Sequence, residues 1–285
     1  GYIPDPLAEL LDVSDTAAST WRRTLSGPVK AKTTIKYAKQ LIDYGKRMQV
    51  AVRTQGSEVL LPLVAYYGTG RLWQQKKLKV AKKIQRSSRT IGYKDSLDPA
   101  SSYKSFVEWF RYWDLNATIL QLKDQANEPD FRELRGYIES VKTAVDACLA
   151  PSGWEGLEYS FKLDTLVARH EVHGELPVEQ LSDGIRNMIG MVADIAFRAT
   201  KLNGQLGERA ATETPGLVLI DEVDMHLHPE WQQLVLNNLT LAFPMLQFIV
   251  TTHSPQVIST VERDRIRMLL RRLENNWIAG GIAFS

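Results

Sequence analysis

The sequence predicts an α/β fold with a mostly parallel sheet flanked by helices, together with a helical insertion. Short apolar runs at 59–67 and 217–220 are typical of strands buried on both faces of a parallel sheet. A third strand is expected at 248–252. The residues between the last two runs have helical spacing and open with a proline, so 229–243 is predicted to be a helix. A strand, a helix crossover and a second strand give a parallel pair.

The other elements follow from local patterns. Apolar residues at helical spacing predict a helix over 34–52 and an all-helical region over 101–149. Alternation over 157–167 predicts one or two strands. The strongest amphipathic pattern, 181–199, predicts a helix with one apolar stripe, and Ser182 is placed to cap it.

The composition is that of an ordinary globular protein: 285 residues, 44% hydrophobic and 24% charged. The net charge of +2 indicates no particular class of partner. Cys148 is the single cysteine and has no intrachain disulfide partner, which fits a reducing, cytoplasmic location. No apolar run reaches the roughly 18 residues of a membrane span, so we expect no membrane association.

Polar side chains follow two of the predicted strands. Asp221 and Glu222 come directly after the second strand, and His253 comes at the end of the third. The carboxyl ends of parallel strands meet at one edge of a sheet, where a carboxylate can hold Mg²⁺ beside phosphates. A neighbouring carboxylate can activate the attacking water. An imidazole can donate a hydrogen bond to the negative charge that develops on the phosphate in the transition state. The alternative is that the acids only end a strand and cap the next helix.

Three motifs in the expected order resemble those of an ABC-type ATPase. Residues 217–222 resemble its Walker B strand, 252–255 its switch histidine, and 181–184 its signature. The Asp-Glu-x-Asp-x-His-Leu-His-Pro form of 221–229 is similar to the branch that includes RecF, SMC-like ATPases and OLD nucleases. More narrowly, further stretches resemble PtuA, the ATPase of Septu anti-phage systems and of some retrons: 61–73, 106–110 and 181–194.

The resemblance implies roles for five residues and implies ATP and Mg²⁺ as cofactors. Asp221 would bind Mg²⁺, Glu222 would be the catalytic carboxylate and His253 would sense the γ-phosphate. Ser182 and Gly184 would contact ATP bound to the other subunit of a homodimer or higher homo-oligomer, because heads of this class sandwich two nucleotides.

The resemblance also implies partners and a domain organisation. The partners would be an HNH-type nuclease, regulated through ATP-dependent head dimerisation, and in retrons a reverse transcriptase with its RNA–DNA. Residues 1–70 would belong to the ATPase core and lead-in helices, 71–155 to a basic and helical insertion, 156–268 to the ABC core, and 269–285 to a C-terminal extension. Two alternatives stay open: a catalytically silent ABC scaffold, and a DNA-processing ATPase of the OLD or RecF kind.

Two further features of the sequence lead to expectations. A phosphate loop is missing, since 27–33 lacks the second glycine and 68–71 lacks the lysine. We expect that loop in a segment preceding residue 1, the alternative being a degenerate ATPase. The basic segment 71–94 has nine lysines and arginines and no acid. It is a nucleic-acid candidate or a solvated helix face; the candidate residues are Lys79, Lys82, Lys83 and Arg86.

Overall fold

The structure, a computed structural model, describes residues 24–25, 33–34, 39–55, 59–72, 88–98, 103–123, 125, 128–271 and 277–281. The chain divides into two units, 1–61 and 62–285, each described by itself. In the first unit, strands β1 (Thr24–Leu25) and β2 (Thr33–Thr34) pair antiparallel and precede helix α1 (Lys39–Gln55).

The second unit holds the remaining described α-helices and strands. In chain order they are β3 (Leu63–Tyr67), α2 (Tyr103–Leu122), α3 (Pro129–Leu149), β4 (Trp154–Ser160), β5 (Thr165–His170), β6 (Gly174–Pro177), α4 (Asp183–Leu202), α5 (Ala210–Glu213), β7 (Gly216–Ile220), α6 (Pro229–Gln232), α7 (Val235–Ala242), β8 (Leu246–Val250), α8 (Pro255–Ile258), β9 (Arg267–Arg271) and β10 (Trp277–Gly281).

A parallel sheet with the order β3–β7–β8 forms the centre of this unit. The register aligns Ala65 with Val218 and Val218 with Phe248. β3 and β7 approach closely at Gly216, where an added Cβ would lie 2.1 Å from the Leu63 carbonyl oxygen. Glycine is therefore required where β7 begins. The predicted fold class, α/β with a parallel sheet flanked by helices, is confirmed.

Among the described helices of this unit, α4 is the most extensively buried. Its N-cap is Ser182, as predicted, whose Oγ accepts from the Ile185 backbone N–H at 3.5 Å. From Gly184 to Thr200 all but one residue is buried, because α2, α3 and β3 all pack against it. The predicted apolar stripe is buried, and most of the rest of the helix is buried as well, because neighbouring elements enclose it on several sides.

The helical insertion packs onto α4 through aromatic side chains. Phe106, Phe110 and Trp113 of α2 are at most 1% exposed. The Trp113 ring lies 5.7 Å from that of Phe197 on α4, centroid to centroid. These rings are core residues, which leaves them unavailable as a stacking surface for bases.

Several predicted boundaries were wrong. The region 229–243 forms two helices, α6 and α7, because the Leu234 N–H bonds Trp231 in a tighter i to i+3 turn. β8 begins and ends two residues before 248–252, and β3 occupies only the second half of 59–67. The region predicted to hold one or two strands contributes to a three-stranded antiparallel sheet, β4–β5–β6.

Two remaining expectations concern other parts of the chain. Lys79, Lys82, Lys83 and Arg86 lie outside the described residues, so nucleic-acid binding stays a prediction. Among the helices that the structure describes, none combines the length and the apolar character that crossing a bilayer requires.

Candidate functional site

The carboxyl ends of the three parallel strands form one edge of the sheet. The predicted acids and the histidine lie in the segments that follow two of these strands. Asp221 and Glu222 come after β7, and their neighbour along the edge is the segment 251–254 after β8. The Asp221 N–H donates to the Tyr67 carbonyl oxygen at 2.8 Å, and the Thr251 N–H donates to the Ile220 carbonyl oxygen at 2.9 Å. The sheet therefore brings both acids and the histidine-bearing segment together.

Thr251 connects the two sides of this edge. Its hydroxyl donates to the Asp221 carboxylate and accepts from the Glu222 backbone N–H at 2.9 Å. One side chain thus holds both acids of the Walker B-like pair. Sequence reasoning passed over Thr251, although a hydroxyl residue at the end of the next parallel strand was the available signal.

The backbone at Glu222 is in a conformation that side chains rarely adopt. Its φ is +47°, and His226 in the same turn has a φ of +63°. A residue other than glycine in the left-handed region costs roughly 1–2 kcal/mol. The turn is retained because Val223 is 1% exposed and its N–H donates to the Thr251 carbonyl oxygen at 3.0 Å. Strain of this kind is characteristic of functional positions.

The donor set at this edge suits magnesium held beside phosphates. Both acids are partly exposed, so a bound ion would meet carboxylate oxygens and solvent. Among the described residues, no cluster of three or more His, Cys, Asp or Glu side chains is arranged to hold a metal. Mg²⁺ often takes only one or two protein carboxylates and completes its shell with water and phosphate oxygens. The residues present fit that mode of binding.

The signature-like residues lie at the N-terminus of α4, close to the turn after β7. Ser182 is exposed at the cap, whereas Gly184 is buried. A Cβ on Gly184 would lie 2.4 Å from the His226 carbonyl oxygen. Gly184 therefore has a role within its own chain, which the sequence had not suggested: it lets the turn 223–228 approach the helix.

Tyr67, at the end of β3, belongs to a buried polar cluster with Asp194 and Arg198 of α4. The Tyr67 hydroxyl and the Arg198 Nε both donate to the Asp194 carboxylate at 2.8 Å. Arg198 also donates to the carbonyl oxygens of Gly92 and Lys94, each at 2.9 Å. The cluster thus joins the end of β3 to α4 and to the last residues of the basic segment 71–94.

The titration behaviour of this cluster follows from its burial. Burial, with the nearby Asp194 carboxylate, raises the pKa of Tyr67 well above its usual value. Burial alone would lower the pKa of Arg198, but the Asp194 carboxylate raises it overall. Tyr67 is therefore a neutral hydrogen-bond donor and Arg198 a permanent cation. No sequence pattern predicted that Tyr67 would meet Asp194 and Arg198, because Tyr67 lies 127 positions from Asp194 in the chain.

Comparison with known proteins gives one family match and several similar proteins. Residues 156–259 match a family described as "AAA domain, putative AbiEii toxin, Type IV TA system". The retron Vc95 probable ATPase of Vibrio cholerae is 30% identical over 254 residues, which are 73% of this chain and 47% of that protein. The Septu protein PtuA of Bacillus mycoides is 30% identical over 189 residues, 61% of this chain and 23% of that protein.

This chain is therefore similar to the retron Vc95 probable ATPase and to the Septu protein PtuA. It spans about half the length of the retron relative and a quarter or less of the Septu protein. Among solved structures, an SMC head domain from Thermotoga maritima matches with a TM-score of 0.37 and 16% identity, over 51% of this chain and 47% of that one.

Proposed function

We propose that this chain is the ATP-binding and ATP-hydrolysing part of an anti-phage defence complex of the Septu or retron type. The observation that carries the proposal is the bonding of Thr251, which holds Asp221 and Glu222 at the same sheet edge as His253. The names of the two relatives support the biological setting.

The residues of the edge have distinct roles in this proposal. Asp221 binds Mg²⁺, and the ion supplies charge neutralisation for the phosphates when bound. Glu222 orients the attacking water and accepts its proton. His253 donates a hydrogen bond to the charge that develops on the γ-phosphate.

The proposed site is complete only when two copies of the chain assemble. The exposed cap at Ser182 opens a helix of 20 residues, whose N-terminal N–H groups favour an anion. Ser182 and Gly184 would approach the nucleotide bound to a second copy, so ATP would hold two heads together. Nucleotide turnover would then control an HNH-type nuclease partner and, in a retron, the reverse transcriptase with its RNA–DNA.

The strain at Glu222 favours an active ATPase over a silent scaffold. A chain that used the ABC arrangement only for assembly would have no need for a glutamate in the left-handed region, where glycine, asparagine or aspartate is less costly.

ATP turnover by the full natural protein tests the proposal. Glu222→Gln should lower kcat by about 100-fold or more because it removes the proton acceptor, while nucleotide binding is retained. Glu230→Gln, an exposed acid on α6, is the matched control and should leave turnover unchanged. Equal turnover by the wild type and Glu222→Gln would contradict the proposal.

A further inference from the structure

The segment that carries His253 is bonded to the chain after β7 by three hydroxyl side chains. The donor–acceptor pairs are Thr251 with Asp221, Thr252 with Asp224, and Ser254 with Gln232. The first pair includes Asp221, which is one of the two acids already described. The other two involve residues to which neither the motifs nor the proposed chemistry assigns a role.

Thr252 is the central member of this set. Its hydroxyl donates to the Asp224 carboxylate and accepts from the Ser254 backbone N–H at 3.0 Å. The Thr252 hydroxyl therefore makes two hydrogen bonds, one to the turn after β7 and one to the backbone of Ser254. These bonds enclose the single residue between Thr252 and Ser254. That residue is His253.

The position of His253 depends on these neighbours. Its side chain is exposed, and no hydrogen bond joins the imidazole to any residue that the structure describes. After His253 in the chain, Ser254 is 6% exposed, and its Oγ accepts hydrogen bonds from the backbone N–H groups of Gln256 and Val257 at 3.1 and 3.4 Å. Before His253 in the chain, Thr252 bonds Asp224 and Thr251 bonds Asp221, and both acids lie in the turn that follows β7.

Asp224 is itself well anchored. Its carbonyl oxygen accepts from the Leu227 N–H at 3.1 Å. The Leu227 carbonyl oxygen in turn accepts from the Gln232 side-chain amide at 2.9 Å. An anchored carboxylate is a suitable fixed point for the histidine-bearing segment.

We infer that Asp224 is a positioning residue that, through the Thr252 hydroxyl, holds His253 in place for contact with the γ-phosphate. The inference rests on the proposed function. Asp224 contacts neither metal nor nucleotide in this role; its carboxylate acts on the histidine through the threonine.

Steady-state ATP hydrolysis by the full natural protein tests the inference. Thr252→Val keeps the shape of the side chain and removes the hydroxyl, so kcat should fall by about 10- to 100-fold, the loss expected from displacing a reacting group by about 1 Å. The KM for ATP should change by less than about threefold, since the lost contact acts in the transition state. Thr252→Ser should restore most of the rate.

A double-mutant cycle separates the pair from general damage. Asp224→Asn should reproduce the effect of Thr252→Val, and combining the two should add little, because both remove the same interaction. Thr240→Val is the matched control: that exposed threonine on α7 also loses a hydroxyl that bonds a carbonyl oxygen, and it should retain the wild-type rate.

A second readout does not depend on turnover. Modification of His253 by diethyl pyrocarbonate, followed by peptide mass spectrometry, should be slowed by Mg–ATP in the wild type. That protection should be lost in Thr252→Val and regained in Thr252→Ser. The exposed His173 on the turn between β5 and β6 serves as the internal reference and should react at the same rate in every variant.

The outcomes distinguish the two ideas. A wild type that neither hydrolyses ATP nor shows protection of His253 would overturn the proposed function, and the inference with it. Wild-type hydrolysis combined with unchanged kcat and unchanged protection in Thr252→Val would overturn the inference alone. A parallel rise in KM and loss of folding in Thr252→Val, with no rescue by serine, would also overturn it.

Discussion

Lys201 is a largely enclosed cation that lies against aromatic rings. Its Nζ lies 3.3 Å from the centroid of the Trp109 ring and 5.1 Å from that of Trp113. Burial lowers its pKa to about 7, and Glu133 opposes that shift. Lys201, at the end of α4, therefore contacts the aromatic rings of α2, and the charge it brings to that contact depends on whether its amine is protonated.

The free energy of unfolding should depend on the protonation of Lys201. The unfolded chain has a lysine pKa of about 10.4, so between pH 7 and that value it binds a proton that the folded state has released. Stability should accordingly rise with pH through this window. Lys201→Met, which keeps an apolar side chain over the rings, should show a smaller rise.

Urea unfolding of the wild type and Lys201→Met at pH 7 and pH 9 measures this difference. Cys148 has the opposite slope, since burial raises its pKa to about 12, but it contributes equally to both proteins. Identical changes in the free energy of unfolding for the two proteins would contradict the assignment.

At the scale of elements, α4 organises the second unit. It carries the signature-like residues at one end, the Asp194–Arg198 pair in its middle and Lys201 at its other end. The helix thereby touches the site edge, the sheet and the insertion. Its burial on several sides explains why it includes a charged pair that is only 2–5% exposed.

Asp194→Ala should destabilise the protein by about 3–5 kcal/mol, because it leaves the Arg198 cation buried without its carboxylate. Glu213→Ala is the matched control. It breaks the exposed Arg209–Glu213 pair, which has the same i to i+4 spacing, and should cost about 1 kcal/mol or less. Chemical denaturation of both variants measures the difference, and comparable losses would show that the buried pair has no special role.

At the scale of the whole molecule, the proposed function requires two copies to meet across ATP. A negative charge placed at Ser182 should oppose that meeting. Ser182→Asp is suited to the test because aspartate caps helices about as well as serine, so folding should be preserved. The aspartate would face the triphosphate of the second copy.

Light scattering after size-exclusion chromatography measures this effect. The Glu222→Gln variant of the full natural protein should double its mass in Mg–ATP, and adding Ser182→Asp should weaken that dimer by about tenfold or more, equivalent to about 1.4 kcal/mol. Ser88→Asp, at the cap of the turn 89–93, is the control. Equal dimerisation of both double variants would contradict a trans contact at Ser182.

The sequence by itself determined the features that depend on local patterns. Apolar runs, a capping serine and two adjacent acids were enough to predict β7, α4 and the carboxyl edge that holds Asp221 and Glu222. Periodicity and capping act over a few residues, so they can be read from the chain directly.

Only the tertiary structure decided which distant residues meet. Thr252 bonds Asp224 across 28 positions, and Tyr67 bonds Asp194 across 127. The enclosure of α4 and the approach of Gly184 to His226 are likewise products of packing. Hydrogen bonds and close contacts between separate elements depend on how those elements are arranged in space, and no local pattern specifies that arrangement.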